Sequence, residues 1–112
     1  MEPRPPFAAE VQHADGGVDV ALVGSLDAGA APTFQRDVWP LVSRYDASQV
    51  VLDCSRLASV DADGLAPLLR LARACGPSGG RLTLRHVPPQ LQDALDGAGA
   101  STAFQIDEAA LS

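Results

Sequence analysis

Two short acidic segments hold the side chains of this chain that are best suited to chemistry. The first is Gly24-Ser25-Leu26-Asp27, and the second is Asp61-Ala62-Asp63-Gly64. Carboxylates in such loops can bind Mg²⁺, attack phosphorus or cap a helix. Asp63 directly precedes Gly64, which predicts that its carboxylate caps the following helix by accepting a hydrogen bond from an amide two or three residues later.

The second segment, taken alone, is similar to the DxDG nucleophile loop of haloacid-dehalogenase-type phosphatases. In those enzymes the first aspartate attacks phosphorus and the second acts as a general acid beside Mg²⁺. They also use a lysine for the phosphate, which this chain lacks, and a longer chain with further acidic ligands. A Mg²⁺ site made only from Asp27, Asp61 and Asp63 would be weak, because no substrate phosphate assists it. A Mg²⁺-dependent aspartyl phosphatase therefore stays a remote alternative, and we expect no catalytic residue, no metal and no cofactor.

The composition excludes several further classes of protein. Fourteen acidic residues face eight basic ones, and all eight are arginine. The absence of lysine excludes P-loop proteins, Schiff-base enzymes, serine/lysine amidases and the kinase fold, because each of them needs a specific lysine. His13 lies in the predicted edge hairpin and His86 at the end of a later strand, and no serine sits in a G-x-S-x-G nucleophile elbow. A net charge of −6 argues against a nucleic-acid surface, which needs a clustered positive patch.

The length of 112 residues and the apolar content of 46% fit one globular domain. We expect a single domain over residues 1–112, with an ordered core over about 7–107. No apolar run approaches the ~20 residues of a membrane helix, and the first residues do not resemble a signal peptide. The sequence therefore predicts a cytoplasmic protein without direct membrane insertion. Cys54 and Cys75 are predicted to be reduced core thiols, with a disulfide or a metal site as the alternative.

The first half of the chain reads as a hairpin, a helix and a strand. Residues 7–13 and 18–23 flank a glycine turn at 15–17, which predicts two antiparallel strands. Pro32 can open the next helix, whereas Pro40 should kink or shorten it. Residues 50–54 form an apolar run without alternation, which is typical of a central strand covered on both faces.

The second half repeats the alternation of helix and strand. Leucines at helical spacing follow Gly64, and a strand is expected over residues 81–85. A short helix should begin at residues 88–89, and residues 104–106 should form a closing strand or turn. This order predicts a mainly parallel α/β sheet with the antiparallel hairpin at one edge. Because loops at the carboxyl ends of parallel strands meet, Asp27, Asp53, Asp61 and Asp63 are expected at one edge of the sheet.

Taken together, these motifs resemble the STAS domain of bacterial anti-sigma factor antagonists over about residues 10–107. The segments that carry the resemblance are Gly24-Ser25-Leu26-Asp27, residues 50–55, residues 60–65 with the leucine-rich helix, residues 80–84, and Gly99 with residues 104–106. The resemblance implies a four- to five-stranded sheet with helices mainly on one face. It also implies a non-enzymatic interaction module that docks on an anti-sigma factor of the serine-kinase/ATPase type. In that system, phosphorylation of a loop serine by the same kinase ends the interaction.

The resemblance assigns the partner-binding residues one by one. Asp27 and Asp61 match the acidic positions of the family, and Gly64 and Leu65 match the start of its docking helix. The expected set of partner-binding residues is Asp27, Asp61, Ala62, Asp63, Gly64, Leu65 and Leu68. This chain departs from the family in the D-S-S-G loop, because Ala62 and Asp63 replace the two serines and Asp63 stands at the phosphoacceptor position.

An aspartate at that position has no hydroxyl, so phosphoregulation there is expected to be lost. Asp63 is a partial mimic of phosphoserine, with about −1 charge instead of −1.5 to −2. Constitutive binding and permanent release both remain open, as do modification of Ser55 or Ser59 and the oligomeric state. The alternative function is a STAS subunit of a bacterial lipid-transport ABC complex, which uses a similar loop against an ATPase.

Overall fold

The structure, a computed structural model, describes residues 6–14, 16–45, 49–74, 82–100 and 103–107. Within them the chain forms five strands and three helical regions. The strands are β1 (Ala8–Ala14), β2 (Gly17–Leu26), β3 (Val50–Val60), β4 (Thr83–Arg85) and β5 (Gln105–Asp107). The helical regions are α1 (28–44), α2 (Ala62–Ala74) and α3 (Pro89–Gly97).

The five strands form one sheet in the order β1-β2-β3-β4-β5. Strand β1 pairs antiparallel with β2, and the other three pairs are parallel. Gly16 has a φ of 78° in the turn between the first two strands, a conformation that glycine adopts without a steric penalty. The predicted α/β architecture with an edge hairpin is confirmed, and the closing segment is a strand.

Helical region α1 absorbs two prolines by changing its winding. It begins with a 3₁₀ turn (Ala28–Ala30), continues as α-helix (Ala31–Thr33), widens into a π-helical segment (Phe34–Val38) and ends as α-helix (Trp39–Arg44). The Trp39 amide donates to the Phe34 carbonyl, five residues back. Pro40, which has no amide hydrogen, follows directly and occupies the first turn of the last segment. The predicted disturbance at Pro40 is therefore a π-helical widening before it.

Within the described residues, the helices cover one face of the sheet and leave the other open. Val20, Leu52 and Leu84 lie side by side in adjacent strands and are fully buried. The next residues in register, Ala21 and Asp53, are only half-buried. The prediction that residues 50–54 form a strand covered on both faces was wrong. Burial alternates along β3 because its second face is open.

Strand β3 also runs further than the sequence suggests. It spans eleven residues, so Asp53 is its fourth residue and lies about 23 Å from its carboxyl end at 3.3 Å per residue. The expectation that Asp53 joins the other aspartates at the loop edge was therefore wrong.

Cys54 is the buried neighbour of Asp53 and is a free thiol. Burial raises the pKa of this thiol to about 12, so it stays protonated and packs as an apolar group. Cys75 lies outside the described residues. Within the described part of the chain, no helix is long and apolar enough to cross a membrane.

Candidate functional site

The loops that follow β2 and β3 are held together by backbone contacts. Leu26 and Val60 are in register at the ends of the two parallel strands. The Asp61 amide then donates a 3.0 Å hydrogen bond to the Leu26 carbonyl, which extends the pairing into the loops. The expectation that Asp27 and Asp61 leave the sheet side by side is thus met by the structure. We call this region, made of Asp27 and residues 61–63, the acidic edge.

Asp27 opens the helical region α1. Its Oδ1 accepts a 3.0 Å hydrogen bond from the Gly29 amide, and its carbonyl accepts one of 2.9 Å from the Ala30 amide. The Asp27 backbone is extended, as is usual for an N-cap residue. Asp27 therefore has a structural role as a cap as well as a place on the acidic edge.

Asp61, and not Asp63, caps helix α2. The Gly64 amide donates 3.1 Å hydrogen bonds to both the Oδ1 and the carbonyl oxygen of Asp61. Helix α2 begins at Ala62, so Asp63 is already its second residue. The prediction that Asp63 is the N-cap was wrong by two positions, because the Asp61–Leu26 bond sets where the helix starts. Asp61 therefore has a structural role as the cap of α2.

The Asp63 side chain is exposed in the first turn of α2. Its carboxylate makes no hydrogen bond or ion pair with any of the residues that the structure describes. Negative charge is favourable at this end of a helix because the backbone amides point toward it. Asp63 is thus a fixed negative charge that remains accessible to a partner.

Gly64 brings helix α2 against the end of β2. A Cβ at this position would overlap the Leu26 carbonyl group and would lie 2.6 Å from the Asp27 amide nitrogen. Only glycine therefore allows the helix to approach the backbone this closely. The contact joins the two halves of the acidic edge.

Three residues expected to contact the partner are buried instead. Gly64 is buried, Leu65 is 4% exposed and Leu68 is fully buried. Their side chains face the core because they continue the apolar stripe of α2 onto the sheet. Direct contact of these three residues with a partner stays a prediction; in this structure they pack beneath the surface, whereas Ala62 and Asp63 are exposed on it.

Exposed residues further along α2 complete a surface that sequence reasoning did not assemble. Ala66, Arg70 and Arg73 are exposed, and Leu69 is half-buried. Ala66 and Leu69 line an apolar concavity of about 420 Å³ together with Ala62 and with three small residues at the end of α3. Those three residues are Ala94, Gly97 and the C-cap residue Ala98. The available signal was the helical spacing of Ala62, Ala66 and Leu69, which places them on one side of the helix.

Asp53 belongs to a different site on the open face of the sheet. Its Oδ1 lies 3.1 Å from His86 Nδ1 and accepts a 3.0 Å hydrogen bond from the Ser55 amide. Partial burial raises the pKa of the Asp53 carboxyl, but the hydrogen bonds from Ser55 and His86 outweigh burial and hold that pKa below its usual range. Two further pairs, Arg56–Glu10 at 2.9 Å and Arg85–Asp19 at 3.9 Å, cover the same face.

The other candidates for chemistry are dispersed. His13 is exposed on β1, where its Nδ1 lies 3.2 Å from the Tyr45 hydroxyl, far in sequence from His86. Among the residues that the structure describes, no three histidine, cysteine or acidic side chains are close enough together to hold a metal ion. The acidic edge therefore offers charge and hydrogen-bond acceptors at a surface.

A family model described as "Mlab, STAS domain" matches residues 9–106. The chain belongs to the STAS domain family. No curated protein sequence matches it significantly.

Solved structures of STAS proteins share the fold. An anti-sigma factor antagonist from Mycobacterium paratuberculosis superimposes with a TM-score of 0.74 at 20% identity, over 89% of this chain and 84% of that chain. The antagonist SpoIIAA in its unphosphorylated form gives a TM-score of 0.71 at 17% identity, over 93% of this chain and 91% of that one. The phosphorylated form of SpoIIAA from Bacillus gives 0.65 at 17% identity, over 93% and 95%. At these identities the likeness shows the fold of this STAS domain.

Proposed function

We propose that this STAS domain is a non-enzymatic partner-switching module that docks on an anti-sigma factor through the acidic edge. The observation that carries the proposal is the exposed Asp63 carboxylate, which has no partner among the described side chains and stands at the helix start that both loops position. The three similar structures support this choice of partner class, since all three are of anti-sigma factor antagonists.

The partner we propose is an anti-sigma factor of the serine-kinase/ATPase type. Asp63 stands where the resemblance expects the phosphoacceptor serine, and a carboxylate cannot take a phosphoryl group from ATP in the manner of a hydroxyl. The negative charge at this position is therefore permanent. The module would bind its partner without the phosphorylation cycle, and we propose regulation of transcription in the cytoplasm as its setting.

The experiment begins with capture of partners from the native cell extract on the immobilised chain, followed by calorimetric titration of the purified partner. We expect an anti-sigma kinase to be captured, and we expect Asp63→Ser and Asp63→Ala to change its affinity. Tighter binding of both variants means that the charge opposes docking, and weaker binding means that it contributes to docking. Equal affinity of wild type and both variants would remove Asp63 from the mechanism.

Glu10→Gln provides a matched control for these titrations. Glu10 is an exposed carboxylate on the open face of the sheet, away from the helices, where it pairs with Arg56. This substitution removes one negative charge from the protein, as Asp63→Ala does. It should leave the affinity unchanged, because long-range attraction between exposed charges is screened at physiological salt.

A second candidate is a STAS subunit of a lipid-transport ABC complex. The observation in its favour is the description of the matching family model, which carries the name Mlab and not that of an antagonist. The same capture experiment separates the two candidates. Recovery of an ABC-type ATPase subunit with its permease would select the transport complex, whereas recovery of a serine kinase without a permease would select the antagonist.

A further inference from the structure

The exposed side of helix α2 carries opposite charges at its two ends. Asp63 lies in the first turn, and Arg70 and Arg73 lie in the second half of the helix. All three side chains are exposed. They follow one another at i, i+7 and i+10, so they form one stripe along the helix. The stripe is about 15 Å long, at 1.5 Å per residue.

The two arginines differ from several others in this acidic protein. Arg36 pairs with Asp37 at 3.0 Å, and Arg56 and Arg85 pair with carboxylates on the open face. Arg70 and Arg73 make no ion pair with any residue that the structure describes. Their charges are thus available to a partner, on the same helix as Asp63.

An apolar surface separates the charged ends. Ala66 is exposed and Leu69 half-buried between Asp63 and Arg73. They line the concavity of about 420 Å³ between α2 and α3, where Ala94 and Ala98 form the opposite wall. Small side chains on both walls let the backbone of another helix approach closely, and a ridge of apolar side chains fits such a groove.

We propose that this surface, which we call the bipolar face (Asp63, Ala66, Leu69, Arg70 and Arg73), docks a helix of opposite polarity on the partner. That helix would carry a basic side chain opposite Asp63, small apolar side chains over the groove, and acidic side chains opposite the two arginines. The proposal rests on the proposed function and adds the charge pattern of the partner. Complementary charges of this kind fix the register of docking and reject partners of the wrong pattern.

Three synthetic helical peptides test the pattern without a natural partner. Each has the same central alanine and leucine residues, with charged groups seven to ten residues apart. One carries arginine at one end and glutamate at the other, the second glutamate at both ends, and the third arginine at both. Titration into isotopically labelled protein, followed by amide NMR spectra, gives both the affinity and the residues contacted. We expect the mixed-charge peptide to bind wild type about threefold or more tightly than the other two, with shifts at residues 62–73 and 94–98.

For each charge-reversal variant of the protein, the proposal predicts which of the three peptides binds most tightly. Asp63→Arg makes both ends basic and should select the all-glutamate peptide. The double variant Arg70→Glu/Arg73→Glu makes both ends acidic and should select the all-arginine peptide. All three substitutions together restore a mixed face, so the mixed-charge peptide should again be preferred, bound in the reverse direction. The control Arg56→Glu/Arg85→Glu changes net charge equally on the open face and should keep the wild-type preference.

A ranking of the three peptides that is the same in all variants would overturn the proposal, as would shifts confined to other parts of the protein. Shifts at residues 62–73 that depend on protein concentration without peptide would assign the face to a second copy of the chain and would also overturn it. If the peptides fail this test but Asp63→Ala still changes the affinity for the captured kinase, the proposed function stands and the bipolar face does not. If no kinase binds the chain, the peptides can still show the expected preference, so the two proposals fail separately.

Discussion

At the scale of single residues, the same side-chain type has three different roles in this protein. Asp61 and Asp27 are helix caps with defined amide donors, Asp53 is a partner of His86, and Asp63 is exposed without a partner in the described structure. The sequence pattern alone placed the cap at Asp63, two residues after the Asp61 that caps the helix in the structure. A tertiary contact, the hydrogen bond from Asp61 to Leu26, decides between them.

The cap assignment predicts unequal effects of two neighbouring substitutions. Asp61→Ala should lower the free energy of unfolding by about 0.5–2 kcal/mol, because the Gly64 amide loses its carboxylate acceptor. Asp63→Ala, which loses only an interaction with the helix dipole, should cost about 0.3–1 kcal/mol. Urea unfolding of both variants measures the difference. A larger loss for Asp63→Ala would return the cap to the position that the sequence first indicated.

Gly64 predicts a steric penalty at the junction of the two loops. Gly64→Ala places a Cβ against the Leu26 carbonyl group, so we expect a loss of about 1–3 kcal/mol as the helix is pushed away. The matched control is Gly97→Ala in α3, where a Cβ meets no atom within 4 Å. Alanine there should stabilise by up to about 1 kcal/mol through helix propensity. Equal unfolding midpoints for the two variants would contradict the close approach at Gly64.

The lowered pKa of Asp53 predicts that this residue contributes to stability at neutral pH and that the contribution is lost in acid. Its pKa in the folded state lies below the ordinary value of 3.8, so its contribution is present above that value and is lost as the pH falls through the lower, folded-state pKa. Asp53→Asn should therefore flatten the dependence of unfolding free energy on pH below about pH 4. The effect should be small because the Asp53–His86 pair is still partly exposed to solvent, which screens it. Thermal unfolding at several pH values measures this. If the stability of wild type and variant changes with pH in the same way, Asp53 makes no such contribution.

At the scale of secondary-structure elements, the sequence was informative where period and turn residues agree. The glycine turn, the leucine spacing of α2 and the prolines before α3 each predicted an element that the structure confirms. The apolar run at residues 50–54 was misread, because an apolar strand beside two others looks the same whether one face is covered or two. Pro40 predicted a disturbance of the helix, but not that it takes the form of a π-helical segment before the proline.

The candidate site was predictable in its position but not in its composition. Parallel strands bring their carboxyl ends together, which placed Asp27 next to the 61–63 loop correctly. Leu65 and Leu68 were assigned to the docking surface by resemblance, yet their spacing is that of a core-facing stripe and they are buried. The exposed positions Ala66, Arg70 and Arg73 stand out only once the packing of α2 is known.

At the scale of the whole molecule, the two faces of the sheet differ in how their charged residues are arranged. The open sheet face pairs its acids with arginine or histidine, at Glu10, Asp19 and Asp53. The helical face instead presents Asp63 and two arginines that have no partner among the described residues. The open face is therefore locally compensated, whereas the helical face keeps these three charges for a partner.

Phosphotransfer from the captured kinase decides whether the charge at position 63 is permanent. Wild type and Asp63→Ser are incubated with the kinase and ATP, and their intact masses are compared. We expect wild type to stay unmodified and the serine variant to gain one phosphoryl group. A phosphoryl group on wild type, for instance on the exposed Ser55 or the half-buried Ser59, would contradict a permanent charge as the replacement for a regulatory one.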